Sequence, residues 1–375
     1  MGTVVDAANV QGPDPEPERS NEASPWNRRR VLTGTRFLAG FTLIALVFLF
    51  ARGDVGAQLK LLLSLSPLFL GIGLAQTLLD FLGGGCRLWF LSTAFGERIR
   101  FTTCVRANGT NIFVGGVTPS QTGGGPAQIY LMAREGVSYP VAMATSLVAY
   151  FGTIAILVGG GAVMVLVAPI HTVGHEFRLF SSIAIGALLL LLLAFLPAVF
   201  KPEASARVFH RVVLRLPILG RRLADSGSLA RLENTVRDFS TLMHQAWRHH
   251  KLRVLGGVLI TVFVYLNKFL VAYVVMRGLG LTVNPWDVLY LQWVSYLVLY
   301  FAPTPGAGGL AELAGAGIMR SILPDSHAAA FVLLWRAFSL YIPMVLGGTY
   351  LLRGLTRAER DREKLDSTRG TRSSA

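Results

Sequence analysis

Pro303-Thr304-Pro305-Gly306-Ala307-Gly308-Gly309-Leu310-Ala311-Glu312 is not written as a plain spanning helix, although apolar runs lie on both sides of it. Two prolines remove backbone donors, and three glycines loosen the chain where a helix should be stiff. A carboxylate follows, between apolar residues. Broken backbone at membrane depth is tolerated only where protein or a water-filled cavity covers it. The stretch has an echo 184 positions earlier, in Pro119-Ser120-Gln121-Thr122-Gly123-Gly124-Gly125-Pro126-Ala127-Gln128. Aligned without gaps, the two share Pro, then Ser or Thr, then Gly-Gly, then Ala, then Gln or Glu.

The chain around this pair has 375 residues, of which 52% are hydrophobic and 15% charged. Soluble domains carry about a quarter charged residues. Long apolar runs complete the reading: an all-α polytopic membrane protein. The net charge of +14 reads as Lys and Arg crowding the cytoplasmic loops, with no nucleic-acid partner. The two cysteines, Cys86 and Cys104, build neither a disulfide framework nor a four-Cys zinc site.

Residues 1–30 are Pro-rich and acidic, a disordered tail. The acidic lead-in disfavours a cleaved signal peptide. Six full spans are expected, at 33–51, 66–93, 138–168, 179–199, 252–276 and 327–352. Basic residues at 28–36, then Arg98, Arg100 and Arg106, mark the inside. So do residues 201–253, with eleven Lys or Arg against four acids, and the tail 354–375. Both termini are therefore expected in the cytoplasm. Residues 103–134 then enter from the inside and return, while 286–322 dip in from the opposite side. These are two oppositely oriented re-entrant hairpins. The offset of 184 maps span 66–93 onto 250–277 and 138–168 onto 322–352. The inference is an inverted repeat, about 66–168 and 250–352, within a membrane domain of 31–353. Such repeats place their site near the midplane, at broken-helix ends.

Between the repeats, 201–251 contains Leu229, Leu232, Val236, Phe239, Met243 and Trp247 at three- and four-residue spacing. That is an amphipathic helix, lying on the inner membrane surface or packed against the protein's own inner face.

Helices that restart after Gly125 and Gly309 present free N–H groups to an anion such as a lipid phosphate. Gly123, Gly124, Gly306 and Gly308 permit the turns, and Ser120, Gln121, Thr122 and Thr304 add donors. The plainer reading is tight turns and close helix packing. Two matched stretches favour a site. Buried ionisable residues extend it. Asp80 and Arg87 share one helix face, seven apart, with Gln76 beside them. Lys268 follows Asn267; Glu312 and Arg320 lie in the second hairpin; Arg336 lies in the last span. Charges at this depth mark a pathway or a pair. Asp80 is expected to pair with Arg87. Glu312 and Arg336, which can also pair, are favoured as functional: Arg336, Arg87 and Lys268 draw phosphate, and Glu312 meets a cationic head group or holds an arginine.

Weaker signals are set aside. His171 and His175 have metal-ligand spacing, but Gly174 and a missing third ligand favour a solvated loop. Asn108-Gly109-Thr110 has the glycosylation pattern but falls inside a hairpin. There is no nucleotide-binding Gly-x-x-x-x-Gly-Lys-Ser/Thr loop and no convincing catalytic constellation. No cofactor is expected.

Thr118-Pro119 through Met132, Pro303 through Glu312, and Leu334-Trp335-Arg336 with Tyr341 and Pro343 resemble the lysylphosphatidylglycerol synthase transmembrane-region family over about 33–353. This is the flippase-like domain of the bacterial multiple peptide resistance factor and its stand-alone relatives. The resemblance implies an inner-membrane protein that moves phospholipids, or head-group-modified phospholipids, between leaflets. It points to 123–128, 306–312 and Arg336. Gln128 stands where relatives carry Glu. The resemblance leaves no room before Ala375 for the soluble aminoacyl-transferase domain, so a separate enzyme would make any lysylated lipid. A second copy of the chain is a further partner the reading allows. The alternatives are a membrane-embedded lipid or glycolipid transferase and a non-transporting scaffold for a lipid-modifying enzyme.

Overall fold

The computed structural model describes residues 28–167, 175–200 and 228–351. The two tails and residues 201–227, where the reading placed disordered or basic segments, lie outside them. The described residues are helical and contain no strand. In order they form α1 (Arg28–Ala51), α2 (Val55–Leu63), α3 (Pro67–Ala94), α4 (Phe101–Val117), α5 (Gly124–Arg134), α6 (Tyr139–Val167) and α7 (His175–Phe200). Then come α8 (Ser228–Gly278), α9 (Pro285–Tyr300), α10 (Leu310–Met319) and α11 (Ala328–Arg336). A π turn, Ala337–Tyr341, carries α11 into a last helical stretch, 342–351.

Local chemistry sets the boundaries. Asp54 caps α2 by accepting from the Gly56 and Ala57 amides. Asn284 caps α9, with Pro285 at the first helical position, where a missing N–H costs nothing. Pro67 opens α3 in the same way.

Among the described residues, five helices are long and apolar enough to cross a membrane: Leu32–Ala51, Pro67–Ala94, Tyr139–Gly161, Arg237–Gly278 and Asp325–Leu351. The sixth expected span, 179–199, falls within α7, whose described apolar stretch is Ser182–Leu193. Side chains such as Ile44, Leu79, Leu190 and Phe263 are more than 60% exposed, as lipid-facing residues must be in a chain taken by itself.

Two apolar cores hold the bundle. One gathers Trp293, Phe331 and Trp335 of α9 and α11 with Leu157 of α6. The Phe331 and Trp335 rings stack at 6.2 Å, and Trp293 Nε1 donates to the Leu157 carbonyl at 2.9 Å. The other joins Leu88, Leu91, Met132 and Val141 to Phe239 and Met243 of α8. The helix expected between 201 and 251 is thus the first part of α8. Phe239 and Met243 pack on the protein itself, while Trp247, expected on the same apolar face, is 47% exposed. A non-helical residue, His250 (φ −134°, ψ 31°), separates this segment from the apolar part that follows.

The two broken stretches form paired helices, α4 with α5 and α9 with α10. Their tips meet in an isolated antiparallel bridge between Pro119 and Pro305. The halves of the chain correspond closely. Shifted by 184 positions, α3 falls on 251–278, the part of α8 beyond His250, and α4 falls on the stretch of α9. Past the tips the shift becomes 186. Ser120 and Gln121 (φ 51° and 55°) then fall on Gly306 and Ala307 (φ 53° and 56°), and the start of α5 falls on that of α10. The gap-free sequence match is corrected here: the second half is two residues longer ahead of its tip. The bridging prolines are themselves 186 apart and so are equivalent to one another.

Candidate functional site

Glu312 occupies the first turn of α10, three residues past Gly309, whose φ of 79° starts the helix. A carboxylate there is favoured by the helix dipole. It is fully buried. Its Oε1 accepts from Arg336 Nε at 2.9 Å, Tyr341 Oη at 3.0 Å and Thr42 Oγ1 at 3.2 Å. Arg336 also donates through Nη2 to the Gly306 carbonyl at 2.7 Å, so it ties the tip backbone to the carboxylate. Its guanidinium lies 5.6 Å from the Tyr341 ring centroid. In an α-helix, residues five apart point about 140° away from one another. The π turn between Arg336 and Tyr341 widens the coil and lets both reach Glu312.

Three buried polar atoms around this tip make no hydrogen bond: Glu312 Oε2, Thr304 Oγ1 and Trp335 Nε1. Gly308 holds the tip against α1; a Cβ there would sit 3.0 Å from Leu38 Cδ1.

The first tip is the uncharged counterpart. Gln128 is buried, accepts from Asn111 Nδ2 at 2.9 Å and donates to Ser146 Oγ at 2.7 Å. An amide joins α4, α5 and α6 here, and under the shift of 186 Gln128 falls on Ala314 and not on Glu312. Ser120, Gln121 and Thr122 are exposed, and the Thr122 hydroxyl donates to the Pro119 carbonyl. Helix α5 starts at Gly124, two residues ahead of expectation, and the Gly123 amide is taken up by Thr118 Oγ1 at 3.0 Å. Gly124 packs against Asn111, whereas Gly125 faces open space.

A second charged group lies between α3 and α8. Asp80 does not pair with Arg87: Lys268 Nζ donates to Asp80 Oδ2 at 2.7 Å. The shared face of α3 put Asp80 and Arg87 in register, but a cation from another helix approaches Asp80 more directly than one two turns away along its own. Asn267 Nδ2 donates to the Gln76 carbonyl at 2.8 Å beside it. Arg87 reaches only Thr153 Oγ1, at 3.4 Å, and pairs with no carboxylate among the described residues. Arg320 is exposed and lies 3.7 Å from Asp325, away from Glu312. The two groups adjoin: Thr77, one turn from Asp80, donates to the Phe338 carbonyl in the π turn at 2.9 Å.

Thr42 was missed in the sequence because a lone Thr in a lipid-facing span carries no signal. Tyr341 was noted only as part of a family pattern; its distance of five from Arg336 hides their convergence. Among the described residues no cluster of three His, Cys, Asp or Glu forms, and His171 lies outside them.

A helical bundle with membrane-length spans, two broken hairpins in contact and buried ion pairs beside them defines a polytopic membrane protein with a polar interior. The model of the lysylphosphatidylglycerol synthase TM region matches residues 37–347, and the chain belongs to that family, a membrane-protein family linked to lipid handling. It is 22% identical over 273 residues to a UPF0104 membrane protein of Archaeoglobus fulgidus, covering 70% of this chain and 79% of that one.

Proposed function

We propose that this chain carries phospholipid, plain or with a modified and in some cases aminoacylated head group, from one leaflet to the other. In this reading α4–α5 and α9–α10 are re-entrant hairpins from opposite faces, and the two halves form an inverted repeat in a cell membrane with both termini cytoplasmic. Six spans then cross, α7 included. The head group passes the crossing of the two tips while the acyl chains stay in lipid, which avoids about 0.8 kcal/mol per CH₂ exposed to water. The chain performs no covalent chemistry. Its drive is a lipid gradient, a coupled proton or the membrane potential, and a separate enzyme modifies the lipid.

One observation carries the reading. The two tips touch at Pro119 and Pro305 beside a carboxylate that is fully buried yet keeps one oxygen, Glu312 Oε2, without a protein partner. A buried charged atom left unpaired costs free energy that a purely structural ion pair avoids. A head-group amine or a proton satisfies it.

The test is leaflet translocation in proteoliposomes with head-group-labelled phosphatidylglycerol and its lysyl form. Gly308→Leu pushes the tip off α1, and Glu312→Gln removes the charge while keeping the shape. Each is expected to slow translocation by about tenfold or more, as losing one charge-assisted contact does. Full transport by correctly folded Glu312→Gln protein would remove Glu312 from the pathway.

A further inference from the structure

Among the described residues, five acidic or basic side chains lie within the packed middle of the bundle: Asp80, Arg87, Lys268, Glu312 and Arg336. Two ion pairs consume four of them. Arg87 is left over: among the described residues it forms no ion pair, and the carboxylate whose charge acts on it, Asp80, is held by Lys268. An uncompensated charge at membrane depth is costly and marks a pathway or a pair.

The surroundings of Arg87 are those of an anion site. Its Nε is buried and makes no hydrogen bond, and its Nη1 has only the long contact to Thr153 of α6. Tyr265 of α8 lies within electrostatic range of both Arg87 and Lys268. Tyr300 of α9 stands 6.1 Å, ring to ring, from Tyr150 of α6, and its buried hydroxyl interacts with that tyrosine. Along α3, Arg87 is seven residues from Asp80, about 10 Å at 1.5 Å per residue, toward the end that leads to Arg98 and Arg100. Tyr150, one turn from Thr153, is 46% exposed.

We propose that Arg87, with Thr153 and the Tyr265 hydroxyl, binds the anionic phosphate of a phosphodiester lipid entering between α3, α6 and α8. The site is distinct from the tip at Glu312, and its place as an entry station rests on the transport reading above. The phosphate neutralises the spare cation, and the guanidinium fork suits phosphate oxygens. Asp80 holds Lys268 and keeps that second cation from competing.

The experiment is thermal melting of the purified, detergent-solubilised full chain with three probes: dihexanoyl-phosphatidylglycerol, inorganic phosphate, and dioctanoylglycerol, which lacks phosphate. The short-chain phospholipid is expected to raise the melting temperature saturably, and dioctanoylglycerol is not. Arg87→Gln is expected to weaken that binding by about tenfold or more. Arg87→Lys keeps the charge and is expected to retain most of it. Without lipid, Arg87→Gln should melt at or above the native temperature, because the burden of an unpaired charge has gone. A merely structural arginine would show the reverse, and Arg87→Gln protein that unfolds without lipid would overturn the proposal. Unchanged lipid affinity in Arg87→Gln would overturn it too. Equal stabilisation by inorganic phosphate would overturn the lipid as the ligand. Binding at Arg87 without any leaflet movement would sink the transport reading and leave this site standing.

Discussion

Asp80 and Lys268 meet at 2.7 Å although 188 positions separate them. A buried pair of this kind need not add net stability, because both ions lose water. Removing one partner is a different matter. Asp80→Asn strands the Lys268 ammonium and is expected to cost about 3–5 kcal/mol. Asp80→Asn with Lys268→Met removes both charges and is expected to recover most of that loss. Chemical or thermal unfolding of the three proteins in detergent checks it; if the double variant is as weak as the single one, the pair is not the source of the cost. The residues themselves were legible, because charges in apolar runs announce themselves. Their partners were not. Helical spacing favoured Arg87 for Asp80, and nothing in a one-dimensional pattern reports that another helix brings a nearer cation. The Glu312–Arg336 contact was legible as one of two options, while Thr42 and Tyr341, which share the same carboxylate oxygen, needed the fold.

Helix contacts here depend on individual glycines, and the positions differ sharply in tolerance. A Cβ on Gly347 would fall 2.1 Å from the Gly109 carbonyl oxygen, where the last helical stretch crosses α4. Backbone cannot move aside as a flexible side chain can. Gly347→Leu is therefore expected to part these helices and sharply lower the yield of folded protein, as read by size-exclusion chromatography after solubilisation. Gly159 in α6 has nothing within 4 Å of its added Cβ. Gly159→Ala is expected to stabilise by about 0.5–1 kcal/mol, since only the helix preference of alanine is at stake. A lower melting temperature for that variant would contradict the open space around it. At this scale the sequence was read well. Runs of bilayer length marked α1, α3, α6 and the apolar part of α8, and Gly with Pro marked both tips. Helix α9 was absorbed into a hairpin, because its sixteen residues are too short to read as a span. The π turn was invisible, having no signature in composition. The two extra residues were hidden because the Gly-Gly match outvotes them when no gap is allowed.

Across the whole molecule, the two halves face one another through α3 and α8, with one charge of the Asp80–Lys268 pair on each side. The early part of α8 lies between the two repeats and runs on into the second, yet it buries Phe239 and Met243 in the core built by α3, α4, α5 and α6. The second half thus grips the first with an apolar strap as well as through the meeting tips. That arrangement makes the covalent link between them dispensable for recognition. Residues 1–200 and 228–375, produced as separate polypeptides in one membrane, are expected to find each other and co-purify. Phe239→Asp in the second fragment should weaken the capture, because it places a charge in the apolar seat of the strap. Fragments that never associate would mean that the linking chain, and not the packed faces, holds the halves together. Success would give a protein whose two halves can be varied independently, labelled separately, and watched as they move against each other.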